Sequence, residues 1–192
     1  LEHDDEVGEG DVLDLLGDPE VEAVRRGDAR HRQQVDVLQD HRPDPAVDDH
    51  LAERLMGSAK ERNEQDLVVK RIVKKLNRLS IWVEAAPEPE IVKVANIQHL
   101  GTPILAQMSG SQSAVELAGL LHPTPAVGGE PWEKAEKVMA EVESIDRGWY
   151  AGPVGWSDWS GDGEFCVALR SALLRDREAH LFAGVGVVSG SD

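Results

Sequence analysis

The chain has 192 residues, with 20 Lys and Arg against 36 Asp and Glu, a formal net charge of −16 and one cysteine. That length fits one domain with its own core, the acidic balance excludes phosphate-backbone binding, which needs clustered Lys and Arg, and a lone cysteine excludes an intramolecular disulfide or a multi-cysteine zinc cage. No run of about 18 apolar residues occurs, and the N-terminus lacks the basic-then-apolar order of a signal peptide, so the expectation is a soluble, cytoplasmic protein with no membrane or nucleic-acid partner.

The acidity is mainly N-terminal: residues 1 to 50 carry sixteen Asp and Glu against five Arg. Residues 1 to 47 form an acidic segment in which Val12, Leu13, Leu15 and Leu16 make only a short apolar cluster, and weak or irregular order is expected there. Asp48 and Asp49 then read as N-caps of one long helix over about 49 to 78. Leu51, Leu55 and Ala59 are spaced by four, as are Val68, Ile72 and Leu76. At Ser80 the period changes to alternation. Ile81, Val83 and Ala85 predict a strand, Pro87 and Pro89 break it, and Ile91, Val92 and Val94 begin another. Ser113 to Leu121 has helical spacing, and Pro131 suits the first position of a helix to about Ser144. From Gly148 the pattern predicts an antiparallel meander: Trp149 to Trp159, a turn at 160 to 163, Phe165 to Leu174, a charged turn at 175 to 178, and His180 to Val188. The predicted class is α+β.

Several patterns carry possible chemistry. Asp158, Ser160, Asp162 and Gly163 mimic the start of an EF-hand loop, but Leu169 stands where a bidentate Glu is required, so a hairpin turn is the better reading. Gly184, Gly186 and Gly190 do not have dinucleotide-fingerprint spacing; glycines in a strand mark a close approach, either to another strand or to a ligand. Glu61 and Glu64, three apart on the long helix, can project from one face toward a divalent cation, although a solvated face beside Lys60 and Arg62 is the plainer reading. His99 and His122 have no second His at ligand spacing and read as structural. Arg170 interrupts an apolar strand run and needs a carboxylate or solvent for its fork of donors. Cys166, between Phe165 and Val167, reads as a small core residue.

Read together, LHPTPAVGG at 121 to 129, RGWYAGPVGW at 147 to 156, GDGEF at 161 to 165 and VALRSAL at 167 to 173 resemble the signature of isochorismate synthases, members of the chorismate-utilising enzyme family. GSAKERNEQ at 57 to 65 and ANIQHLGTPI at 95 to 104 are similar to that family's upstream motifs, so the resemblance covers roughly 43 to 192. The segment LHPTPA favours isochorismate synthase over the salicylate, anthranilate and aminodeoxychorismate synthases, which stay as alternatives beside a non-catalytic remnant. The resemblance implies a fragment of the family's α/β sandwich, an antiparallel sheet with helices packed outside, in which 48–192 is a partial chorismate-binding domain. It implies a Mg²⁺-dependent isomerisation of chorismate to isochorismate, serving siderophore, salicylate or menaquinone synthesis, in a monomer.

Carried over residue by residue, the resemblance makes Glu64 a magnesium ligand and Glu61 a nearby acidic partner. His99 would face the leaving hydroxyl, Tyr150 and Arg170 would bind the enolpyruvyl carboxylate, the backbone at Gly184 and Gly186 would pack on that group, and Ala126 would floor the pocket. Two departures stand out. Gln65 replaces the His usual after the metal-binding Glu. The family's water-activating Lys and general-acid Glu find no match in 1 to 47, and a second magnesium Glu and a substrate-binding Lys would follow Asp192. The expectation is therefore a chain truncated at both ends, with impaired turnover.

Overall fold

The computed structural model describes residues 44–94 and 97–188, together with the backbone of three strands before them, β1 (Val12–Leu16), β2 (Ala23–Arg26) and β3 (Gln34–Asp40). The expectation of weak order over 1 to 47 falls mostly outside the described residues, and within that segment these three strands are described. Each is paired within a sheet, and an acidic composition did not prevent short stretches of the segment from adding to sheets whose other members lie far along the chain. The rest of residues 1–43, the side chains of those three strands, and residues 95–96 and 189–192 lie outside the described residues.

The single long helix of the sequence reading is two. Helix α1 (Pro45–Gly57) starts at Asp44, whose carboxylate accepts from the Ala46 amide at 3.0 Å, with Pro45 in the first position where a missing N–H costs nothing. Ser58 is extended, which stops α1, and its hydroxyl accepts from the Glu61 amide at 3.4 Å to open α2 (Ala59–Leu76). The four-residue apolar spacing ran across this break because Leu55 and Val68 are buried on both sides of it. Asp48 and Asp49 are not caps. Asp48 is a buried residue of α1 whose carboxylate takes Lys93 Nζ at 2.6 Å and the amide of Gln98.

Those two partners lie on β5 (Glu90–Val94) and β6 (Ile97–Gly101), so the buried carboxylate ties α1 to the three-stranded sheet of order β3-β6-β5. The predicted strands at 80 to 85 and 90 to 94 both exist, but the Pro-rich connection sends them to different sheets. Strand β4 (Ser80–Ala85) pairs with β7 (Ile104–Met108) at one edge of a six-stranded sheet of order β4-β7-β1-β2-β9-β8.

Helix α3 (Ala114–Leu121) carries a full capping box, Ser113 with Glu116. After the short α4 (Pro125–Gly128) comes α5 (Trp132–Val142), which Pro131 caps rather than begins. The C-terminal third is two hairpins rather than one meander. Strands β8 (Pro153–Ser157) and β9 (Gly163–Val167) complete the six-stranded sheet, whereas β10 (Ala172–Arg175) and β11 (Glu178–Leu181) pair only with each other. The expected strand to Val188 ends at Leu181. The turn at 158 to 162 is the predicted hairpin turn, knotted by Asp158, whose carboxylate accepts from the Ser160 and Asp162 amides.

The core forms where α2 and α3 cover the six-stranded sheet: Val68, Ile72 and Leu76 of α2 meet Ile104, Ala106 and Met108 of β7 and Leu117 and Leu121 of α3. Five of these eight side chains are sealed from solvent, and burial of each of the four large ones, Ile72, Leu76, Ile104 and Leu117, contributes about 1.5–3 kcal/mol. All described strand pairs are antiparallel and the helices pack on the sheet, as the α+β expectation required.

Candidate active site

The buried stripe of α2 continues toward its N-terminus as Gln65, and then as the half-buried Glu64 and Glu61. A helix places residues three and four apart on one face, so core packing at Val68 and Ile72 sets the direction in which these carboxylates emerge. The Glu64 carboxyl is held above its usual range, first by burial, then by the charge of Glu61, with Lys60 partly offsetting both. A half-buried carboxylate crowded by the charge of a second one would be relieved by a cation.

Gln65 lies beside them and is only 3 % exposed; its Nε2 donates at 2.8 Å to Oγ1 of Thr102, itself a 4 % exposed residue. Thr102 follows β6, so this bond joins the carboxylate-bearing turn of α2 to the strand that carries His99. His99 is fully buried opposite Val92 of β5. The Gln that stands where the resemblance expects a His thus makes a buried hydrogen bond of its own.

The other wall is the segment after β11. Phe182 stacks on Tyr150 with ring centroids 5.2 Å apart and planes 12° apart. A Cβ on Gly184 would stand 2.6 Å from the Tyr150 hydroxyl, and one on Gly186 would stand 3.1 Å from Glu64 Oε2. Residues 182, 184 and 186 alternate toward the site while Val185 and Val187 are exposed, the period of an extended chain. Of the two readings open for these glycines, close approach to a strand or to a ligand group, the structure shows a third partner: side chains of the candidate site itself.

Arg170 stands in the exposed connection between β9 and β10 with φ of 46°. The Ala151 amide donates to Ala168 O and the Phe182 amide to Ser171 O, both at 2.9–3.1 Å, so the residues around Arg170 are laced to those around Tyr150. Ala126 is exposed on α4, which packs against α2. The structure therefore brings Glu64, Tyr150, Gly184 and Gly186 into one strip, with Arg170 in an adjoining turn. Ala126 lies on a neighbouring element and His99 beneath, sealed from solvent.

Phe182 and Thr102 were not anticipated. Phe182 could have been read from its place two residues before Gly184, on the same side of an extended segment. Thr102 had no local signal, because its partner is 37 residues away.

Glu61 and Glu64 suit Mg²⁺ by donor chemistry: it takes one or two carboxylates, keeps several waters, and accepts further oxygens from a ligand. Among the described residues no group of three or more His, Cys, Asp or Glu could hold a metal, so these two would supply only part of a coordination shell. No helix of the described residues is long and apolar enough to cross a membrane.

A sequence model of the family described as chorismate binding enzyme matches residues 40–192. The salicylate biosynthesis isochorismate synthase of Pseudomonas aeruginosa is 44% identical over 149 residues, covering 78% of this chain and 31% of that protein. The isochorismate synthase MenF of Bacillus subtilis is 43% identical over 145 residues, 76% of this chain and 31% of the relative. The chain thus spans about a third of the length of the curated relatives it matches. Among solved structures, the menaquinone-specific isochorismate synthase MenF of Escherichia coli superposes with a TM-score of 0.75 and 30% identity over 94% of this chain and 39% of the other.

Proposed function

The chain belongs to the chorismate-binding enzyme family, and we propose that it carries substrate-holding and metal-holding parts of an isochorismate synthase acting on chorismate with Mg²⁺. The observation that supports this most directly is the convergence of Glu64, Tyr150 and the Gly184–Gly186 backbone on one strip, because a dicarboxylate substrate needs a cation site and a separate anion site a few ångströms apart. Glu61 and Glu64 would hold Mg²⁺, which when bound supplies a grip on the ring carboxylate and offsets its charge.

In the reaction, water adds at C2 of the ring and the C4 hydroxyl leaves. The chain's own residues would bind and orient. Tyr150 donates its hydroxyl to the enolpyruvyl carboxylate, with the ring held by the stack on Phe182, and Arg170 offers the same group a planar pair of donors. Gly184 and Gly186 bring backbone against that group where any side chain would intrude on Tyr150 or Glu64. His99 would serve the side of the leaving hydroxyl, its strand anchored through Thr102 and Gln65. Ala126 leaves room at the floor. The same reading takes residues 48–192 as the chorismate-binding part and places the protein in the cytoplasm as a monomer.

The test combines calorimetry of chorismate binding, with and without Mg²⁺, and chromatography of the products. Magnesium-linked chorismate affinity and isochorismate as product, with no requirement for ammonia, are expected. An ammonia-dependent aminated product, or salicylate without isochorismate, would overturn the assignment within the family.

A further inference from the structure

We propose that Arg147 is a positioning residue of this site, a strut that locks the turn bearing Ala126 to the turn bearing Tyr150; the proposal rests on the isochorismate synthase reading for its ligand, but not for its geometry. Arg147 is half-buried and uses its whole guanidinium. Nε donates to Glu143 Oε2 at 2.7 Å and one terminal nitrogen donates to the other oxygen of the same carboxylate, a two-point grip that fixes the plane of the fork. That nitrogen also lies 3.3 Å from Met139 Sδ. The remaining nitrogen is thereby aimed away from α5, and donates to Val127 O at 2.9 Å.

Val127 follows Ala126 in α4. A helix of four residues leaves its last carbonyls without helical amide partners, and the amides of Gly128 and Gly129 are already spent on Thr124 and Pro125. Arg147 therefore caps the C-terminal end of α4 from outside. Its own carbonyl accepts from the Tyr150 amide at 2.8 Å, closing the turn that presents Tyr150. That turn continues into Ala151, buried and at φ of 64°, a conformation a non-glycine residue holds only when its surroundings impose it. One residue thus serves both turns, the side chain stabilising the first and the backbone the second.

The opposite end of the same loop is held in the same way. Lys75 of α2 donates to Leu121 O at 3.0 Å and His122 O at 3.4 Å at the end of α3, and Arg71 pairs with Glu130 at 3.3 Å just after α4. The loop from 121 to 130 is clamped by cations, two from the helix that carries Glu64 and one from the turn that carries Tyr150. Arg147 is the member that reaches across to the Tyr150 side. A lysine at 147 could satisfy one acceptor but could not hold Glu143 at two points while reaching Val127.

The experiment compares the chain with its Arg147→Lys and Arg147→Met variants by amide hydrogen exchange and by chorismate affinity in the presence of Mg²⁺. Expected is faster exchange in both 127–129 and 150–152, with the α2 core amides unchanged, and about tenfold weaker chorismate binding, less for Lys than for Met. A purely structural role would lower the folded fraction without altering the affinity of the molecules that remain folded. If neither variant folds, Glu143→Gln, which frees the fork while keeping the arginine, decides by the same exchange measurement. Faster exchange in only one of the two turns, or in neither, overturns the strut. Unchanged affinity with both turns loosened overturns its role in the site. Absence of chorismate binding by the unsubstituted chain counts against the isochorismate synthase reading alone.

Discussion

The two walls of the candidate site are built by different physics. On the α2 wall, Gln65, Val68, Ile72 and Leu76 are all buried, and the carboxylates of Glu61 and Glu64 are extensions of a core stripe. On the wall from 182 to 188 almost nothing is buried: Val185 and Val187 are more than 80 % exposed, and the segment is held by the Phe182–Tyr150 stack, by the Phe182 amide on Ser171 O, and by two glycines set close against Tyr150 and Glu64. A site made this way should separate its failures. Changes on the helix should be read mainly in global stability, and changes on the extended segment mainly in what the site can hold.

The sharpest break of that contrast is at Ile72. Ile72→Ala leaves a cavity between α2, β7 and α3, and should lower unfolding stability by about 2–5 kcal/mol, read from the midpoint of a urea transition. The folded fraction that remains should bind chorismate as before. A loss of affinity without a loss of stability would mean that α2 is tuned for the ligand and not for the core.

Next in size are the glycines. Gly184→Ala forces a methyl to 2.6 Å from a hydroxyl on a ring already pinned by Phe182, whereas Gly186→Ala meets at 3.1 Å the end of a glutamate that can turn aside. Overpacking of this kind costs about 1–3 kcal/mol in a packed core, and the exposure of this segment should keep the stability loss below that. Affinity for chorismate should fall more for Gly184→Ala than for Gly186→Ala, and magnesium linkage should change more for Gly186→Ala. Titration calorimetry on the two variants checks the order, and a reversed order would place the rigid wall at Glu64.

Gln65→Leu probes the join between the α2 wall and the strand that carries His99. It removes the donor to Thr102, but also removes Gln65 Oε1, a buried oxygen without a hydrogen-bond partner among the described residues. The net cost should therefore be about 1 kcal/mol rather than the full penalty of an orphaned group. A double-mutant cycle with Thr102→Val measures it; a coupling near zero would mean that the bond between helix and strand does not organise the site.

Much of this contrast could be read before the fold was known. The apolar periodicity of α2 and the helical spacing from Ser113 to Leu121 are local signals, and each corresponds to a helix of the structure; the glycines at 184 and 186 signalled a close approach but not its partners. What was not legible was non-local. The strands at 12 to 16, 23 to 26 and 34 to 40 are defined by partners as distant as β7 and β9, and an acidic composition gives them no pattern of their own. The break at Ser58 was legible in principle, since Ser58 and Glu61 have capping spacing, but an unbroken apolar period hid it. The Gln65–Thr102 bond and the Arg147 strut depend on side-chain reach across elements, which no spacing rule reports.

The smallest predicted effect lies beside the two walls, at the pair of Glu143 and Arg147 that joins the Tyr150 turn to α4. Hydrogen bonds from Arg147 hold the Glu143 carboxyl below its ordinary value of 4.5, with the attraction of the guanidinium adding to them and burial acting against both. An acid with a depressed folded value binds fewer protons folded than unfolded near that pH, so the pair's contribution is complete above 4.5 and is lost as pH falls through the lower, folded value. Both side chains are about 30 % exposed, so solvent screening should keep this contribution below about 1 kcal/mol. The measurement is the difference in urea midpoint between the chain and Glu143→Gln from pH 6 downward, which cancels the many other carboxylates. The difference should shrink toward zero below pH 4.5. A constant difference would mean that Glu143 holds Arg147 by shape rather than charge, and the strut would then keep its grip on α4 in acid while the charged α2 wall did not.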